Sequence, residues 1–343
     1  MANFSYSSGR LLAAIAAILC IFSGGVISQS MERQTFDPIE SVVQAESVML
    51  SVNPAGGETY ERSIAVDPKV NISLCVSHGN LTVNGWDRDE VRVFVKKGSK
   101  IGFRAAHKNI KTGIADWVFV LGFDPGKERP GQSNECLWGS DIEIDAPAGS
   151  TVNIKGRETK TVIDRVRTAN VKNIGGDISL RHISEGVSAQ TYEGDVMLEN
   201  SGGAIYLDTS NGNIVAIAAG PSQIGDIFKA KSNSGAISLH EIDHRQIEVY
   251  SITGAIVFNG GLTTGGSYSF GTSNGAITLG IPPDSSLMVI ASSSFGDFKS
   301  TLPFKLLTDD LTSDAKRTVG QIGAGESKLN LTTITGAIRI KKQ

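Results

Sequence analysis

The stretch Thr191-Tyr192-Glu193-Gly194-Asp195-Val196-Met197-Leu198 sets a pattern that the rest of the chain repeats. Before it, Val187 and Ala189 alternate with polar residues; after Gly194, Val196 and Leu198 resume the alternation. Written out, the frame is Φ-x-Φ-x-[Ser/Thr]-x-x-Gly-[Asp/Asn/Ala]-Φ-x-Φ, with Φ apolar. It returns with Ile247, Val249, Ser251, Gly254, Ile256 and Phe258, and again with Tyr268, Phe270, Thr272, Gly275, Ile277 and Leu279. Leu329, Leu331, Thr333, Gly336, Ile338 and Ile340 fill it a last time.

Period-two alternation on both sides of a glycine predicts two short strands, each with one buried face, joined by a turn. The glycine recurs at Gly176, Gly194, Gly212, Gly235, Gly254, Gly275 and Gly296, in steps of 18 to 23 residues. Gly203 falls midway between two of them, and Gly79 opens an earlier turn after His78. That interval predicts an all-β fold, a parallel β-solenoid of the β-helix or β-roll kind with coils of about 20 residues. An up-and-down barrel would alternate too, but would not hold one turn chemistry in one register. Each turn glycine is expected to take positive φ. The Ser/Thr column is expected to stack hydroxyl on hydroxyl from coil to coil.

Outside the repeat, residues 11–27 form an apolar run preceded by Arg10, with the small pair Ser28 and Ser30 after it. This is the pattern of a signal peptide over residues 1–30, with an uncleaved anchor helix as the alternative. Either one places the body extracytoplasmically: periplasm, cell surface or secreted. Residues 31–60 read as a linker, and 61–343 as a single solenoid domain with insertions at about 97–138 and 299–328. Trp86 is expected to cap an open end of the core. Arg339, Lys341 and Lys342 are expected to protect a terminal edge strand. Cys75 and Cys136 either pair, stapling the first insertion, or stay as buried thiols.

The run Gly85-Trp86-Asp87-Arg88-Asp89-Glu90-Val91, the Gly-[Asp/Asn/Ala]-Ile repeats and residues 320–325 resemble the bacterial putative-adhesin domain of unknown function, a cell-envelope β-solenoid family. The resemblance spans about 61–343, apart from the first insertion. It implies an extracytoplasmic, non-catalytic, adhesive protein and supplies no catalytic residues.

With 343 residues at a formal net charge of −3, the total gives no support to nucleic-acid binding. The sharpest catalytic motif is His240-Glu241-Ile242-Asp243-His244, which spells a zinc-protease signature. That chemistry needs a helix, whereas Ile237 and Leu239 lead in, and Ile247 and Val249 lead out, with strand spacing. The run therefore reads as a coil corner bearing two surface histidines, and no metal or cofactor is expected. Asp177, Asp195, Asp226 and Asp297 suggest calcium between coils, but Ala and Asn at equivalent turns break the column. Asp177, Asp195 and Glu199 are the positions a polysaccharide lyase or hydrolase would use, which is the alternative function. The candidate recognition surface is the aromatic set Trp117, Phe119, Phe123 and Trp138, in the part that departs from the scaffold. The reading is an exported structural or adhesin-like binding protein. Its partner would be a cell-surface or envelope ligand, glycan or protein, and it would meet the membrane only through an uncleaved N-terminus.

Overall fold

The computed structural model describes residues 59–107, 114–123, 136–311 and 316–343. The leader or anchor expected over 1–30 and nearly all of the linker lie outside these residues. The described chain is all-β, with 24 strands in one hydrogen-bonded network and no helix long and apolar enough to cross a membrane.

The centre is built from paired strands in which a first strand, a glycine corner and a second strand make one tier. The tiers are β7–β8 (Thr168–Gly175, Ile178–Arg181), β9–β10 (Gly186–Glu193, Val196–Gly202), β11–β12 (Ala204–Asn211, Ile214–Gly220), β13–β14 (Phe228–Ser234, Ile237–Ile242), β15–β16 (Gln246–Thr253, Ile256–Asn259) and β17–β18 (Ser267–Asn274, Ile277–Ile281). Every first strand pairs in parallel with the first strands of its neighbours, and every second strand with the second strands. Thr191 faces Thr209, Thr209 faces Ser232, Ser232 faces Ser251, and Ser251 faces Thr272. The inward side chains stack in the same way. Val187, Ile205, Phe228, Ile247 and Tyr268 form one buried column, and Leu198, Ala216, Leu239, Phe258 and Leu279 another. Buried aliphatic and aromatic side chains contribute about 1.5–3 kcal/mol each, so a lone tier cannot hold itself together but a stack can.

The corner glycines answer to a contact more than to a dihedral angle. A Cβ built on Gly235 would run into the carbonyl of Gly212, and one on Gly212 into that of Gly194. Gly254, Gly275 and Gly336 meet Gly235, Gly254 and Gly275 in turn. Gly235 does have φ of +150°, but Gly212, Gly275 and Gly296 lie outside the left-handed range, so the positive φ expected at every corner is not general. The carbonyl that excludes a Cβ also binds the hydroxyl column. Thr209 Oγ1 donates to Gly194 O at 2.9 Å, Ser232 Oγ to Gly212 O at 3.0 Å, Ser251 Oγ to Gly235 O at 3.1 Å and Thr272 Oγ1 to Gly254 O at 3.0 Å. The hydroxyls therefore reach the neighbouring backbone instead of one another, which corrects the expected hydroxyl-to-hydroxyl stack.

A second column of left-handed residues runs along the second strands: Arg165, His182, Asn200, Ala218 and Glu241, with φ between 46° and 56°. These five share no side-chain type, so the pattern of the sequence does not announce the bend they make.

The N-terminal end mixes directions. β1 (Thr59–Trp86) pairs antiparallel with β2 (Glu90–Lys96) and parallel with β6 (Thr151–Asp164), on which β7 and β8 lie. The opposite edge of β1 carries β4 (Ala115–Phe123) and β5 (Leu137–Pro147), both parallel to it. β3 (Lys100–Ala106) lies antiparallel on β4, and β2 antiparallel on β5. Within the stretch read as breaking the rhythm, Val118 and Val120 are buried and continue the core. Trp86 does not cap that core. Its indole N–H donates to Glu90 O at 2.8 Å, and the guanidinium groups of Arg88 and Arg92 stand 5.0 and 5.5 Å from its ring. Arg92 in turn binds Asp145 through Nε at 2.9 Å, a pairing that raises the guanidinium further above its ordinary value.

At the other end, β19–β20 (Leu287–Ser293, Phe298–Ser300) is followed by the antiparallel pair β21 (Lys305–Leu311) and β22 (Lys316–Ile322), with β22 on β19. The last strands, β23 (Ser327–Thr335) and β24 (Ile338–Lys342), are not terminal in space. β23 sits between β17 and β19, and β24 between β18 and β20. Arg339, Lys341 and Lys342 thus belong to an interior strand, and the expectation that they guard an edge is overturned.

The glycine contact has a measurable consequence. Gly235→Ala is expected to cost about 3 kcal/mol through backbone overlap. Ser232→Ala should cost about 1–2 kcal/mol, because Gly212 O loses its buried donor. Gly261→Ala, where nothing stands within 4 Å of an added Cβ, should stay within about 0.5 kcal/mol. Urea unfolding of the three variants checks this order.

Candidate functional site

β4 alternates about its strand axis, so burying Val118 and Val120 turns Trp117, Phe119, Leu121 and Phe123 to the other face. All four are half-buried. The rings of Trp117 and Phe119 stack at 5.8 Å between centroids. Phe123 lies over Gly102, where a Cβ would collide with the ring. Trp138 stacks on His78, also at 5.8 Å. β4 and β5 follow one another along β1, with Trp117 beside Asn71, Phe119 beside Ser73 and Trp138 beside His78. The four aromatic residues singled out in the sequence therefore share one outer face, with Phe123 displaced toward β3.

Cross-strand pairing sets two cations of the basic stretch that begins at Lys96 beside this row. Arg104 stands opposite Phe119, and Lys100 opposite Phe123, both on exposed positions of β3. Residues directly opposite in a ladder project to the same side. The face is thus an aromatic row flanked by cations on one strand and by Asn71 and Ser73 on the other. The disulfide Cys75–Cys136 ties β1 to the start of β5 beside this row, across a sequence separation of 61. Trp117 Nε1 is buried and has no hydrogen-bond partner among the described residues, a state that buried donors rarely keep.

The remaining candidates resolve into structural roles. His240 lies on β14 and hydrogen-bonds Ser238 Oγ at 3.0 Å through Nε2. His244 is not a surface residue: it is 1% exposed, its Nε2–H donates to Gly203 O at 2.8 Å, and its ring packs against Phe228. Burial is the largest influence on the imidazole and pulls its pKa below the ordinary 6.5. Among the described residues no cluster of three or more His, Cys, Asp or Glu is arranged to hold a metal ion. The corner acids are engaged by the next tier. Asp177 Oδ1 accepts the amide of Asp195 at 3.0 Å, and Asp195 Oδ1 accepts that of Asn213 at 2.7 Å. Asn213 Oδ1 continues the series by accepting the amide of Ala236 at 3.0 Å. For Asp226, burial pushes the carboxyl up, but hydrogen bonds from Ser222 and Gln223 outweigh it and hold the pKa below the ordinary value. A cleft of about 230 Å³ lies at the far end, between Asp297, Lys299 and Lys316.

No protein-family model matches the chain, and no curated protein does. Among solved structures it is similar to a putative cell adhesion protein from Clostridium sporogenes, at 12% identity over 83% of this chain and 100% of that one, with a TM-score of 0.22. It is similar to a putative lipid binding protein from Parabacteroides distasonis, at 11% identity over 83% and 97% of the two chains, with a TM-score of 0.44. A putative adhesin from Bacteroides fragilis shares 13% identity over 83% and 97%, with a TM-score of 0.31. Overlaps at these scores carry no argument about what this chain does.

Two measurements probe the groups around the site. Because the folded state depresses His244, its contribution to stability is present above the unfolded value near 6.5 and is lost as pH falls through the folded value. Unfolding free energy should therefore drop as pH is lowered from 7 to 5, and His244→Gln should flatten that slope. Opening the disulfide with Cys75→Ser and Cys136→Ser should destabilise the N-terminal tiers by about 4 kcal/mol. In an array whose units touch only their neighbours, amide exchange in β15 to β18 should barely change.

Proposed function

We propose that the parallel ladders are the walls of a β-solenoid, and that the chain is an exported, non-catalytic binding protein. Its outer aromatic face would meet a cell-envelope ligand, glycan or protein. The observation that carries this reading is the row Trp117, Phe119 and Trp138, rings that follow one another along one outer face of β1, whereas the outward positions of the central tiers mix polar residues such as Ser188, Gln190, Lys229 and Lys231 with apolar ones such as Tyr192 and Tyr250. Large rings left half-exposed in a line, beside exposed Lys100 and Arg104, suit stacking on a flat apolar surface with polar edges.

The leader pattern and the Cys75–Cys136 bond support localisation outside the cytoplasm, since disulfides persist in oxidising compartments. The carbohydrate-active alternative would need free carboxylates facing one another across a groove. Asp177 and Asp195 instead spend an oxygen each on the amide of the following tier. The near-balanced formal net charge of −3 gives nucleic-acid contact no support, and an uncleaved N-terminus would be the route to a membrane.

A glycan array and an envelope-protein overlay, each with residues 31–343 and with the Trp117→Ala/Phe119→Ala/Trp138→Ala variant, test the reading. Binding should fall by roughly tenfold or more, equivalent to about 1.4 kcal/mol, with the β-sheet circular dichroism spectrum retained. Undiminished binding by the variant would place recognition elsewhere.

A further inference from the structure

The tier made by β23 and β24 occupies a slot whose two walls both precede it in the sequence. On one side Tyr268, Phe270 and Thr272 face Leu329, Leu331 and Thr333; on the other, Val289, Ala291 and Ser293 face the same three residues. The second strands repeat the arrangement, with Ile338 between Ile277 and Phe298. Gly275 O accepts from Thr333 Oγ1 at 3.1 Å, and Gly296 in turn closes on the carbonyl of Gly336. Register is therefore identical on both walls. A segment with this frame satisfies the slot whichever copy of the chain supplies it.

The connection to the slot suits such an exchange. β22 stays paired to β19 on the outer wall, so the path from wall to occupant is the short piece 323–326. Gly323 and Gly325 there take φ of +61° and +78°, so this piece already turns in a region open to glycine. At its end, Ser327 N donates to Ser286 O, Glu326 N to Ser286 Oγ, and Gly265 N to Ser327 Oγ. When β23 and β24 are out of the slot, both walls and the released segment expose unpaired strand edges, which favour pairing with another chain. The chemically matched acceptor is the same slot in a second copy.

We propose that residues 327–342 are an exchangeable tier and that two copies of this chain form a reciprocal dimer by inserting it into one another. The interface is two-fold and isologous, because each copy gives the segment that it receives. Inside the dimer every contact of the tier is the one seen within a single chain; only the path through 323–326 changes.

Asn274 and Thr335 report the exchange, since they are exposed neighbours with Thr335 Oγ1 donating to Asn274 Oδ1 at 2.8 Å. The full chain would be made as Asn274→Cys with heavy isotopes and as Thr335→Cys with light ones. The two are co-refolded at high concentration, oxidised, and the 274–335 peptide pair is sought by mass spectrometry. Exchange predicts a mixed-isotope cross-link and a dimer on sedimentation, and deleting Ala324 and Gly325 should increase both by denying the segment its own slot. The Asn274→Cys/Thr335→Cys double variant is the control for register. If it closes the bond within one chain while the mixture stays monomeric with either length of connection, exchange is refuted. If the double variant forms no such bond at all, the tier order on which the proposal stands is itself wrong.

Discussion

The structure depends on a carbonyl. At each corner of the central tiers the glycine C=O points at the next tier, where it receives a buried Ser or Thr hydroxyl and excludes a Cβ on the following glycine. One buried hydrogen bond adds only about 0.5–1.5 kcal/mol. An orphaned carbonyl of this kind costs about 1–3 kcal/mol, so the arrangement penalises slippage more than it rewards correct stacking. A shift by one residue would also turn each aliphatic column to solvent. Register is thus enforced twice, by the corner and by the core.

The same rule explains how the ends can differ from the middle. Where the corner contact recurs, tiers are parallel and interchangeable, even to the point that the segment latest in sequence lies inside the stack. Where it stops, direction is free. β2 and β3 at one end and β21 and β22 at the other run antiparallel to the strands they cover. The aromatic face belongs to this freer N-terminal end. There β4 keeps the inward alternation of Val118 and Val120 but fills its outward positions with rings.

Most of the central architecture was legible because Gly194, Thr209 and their equivalents are chemically required at a fixed spacing. The reason for them was not. The period shows that glycine and hydroxyl recur together, but not that one serves the other across tiers. The order of the last tiers was illegible for a related cause: Thr272 faces Thr333 and Thr333 faces Ser293 in equal register, so the repeat accepts either neighbour. His244 was misplaced because nothing local marks a histidine that reaches Gly203, 41 residues away. The outward side of Trp117, Phe119, Phe123 and Trp138 needed only period two. That Arg104 and Lys100 flank this row needed the pairing of β3 with β4, which no turn residue within the described chain specifies.

Neighbouring tiers, and not segments neighbouring in sequence, pair across the ladder. Through-space amide proton contacts in the deuterated protein test it most directly at Lys231. Parallel stacking predicts contacts from the backbone of Lys231 to Asp208 on one side and to Tyr250 on the other, the partners it has here. Contacts from Lys231 and Ser232 to Ser238 and Leu239, folded back about Gly235, would mean a hairpin and would contradict the account.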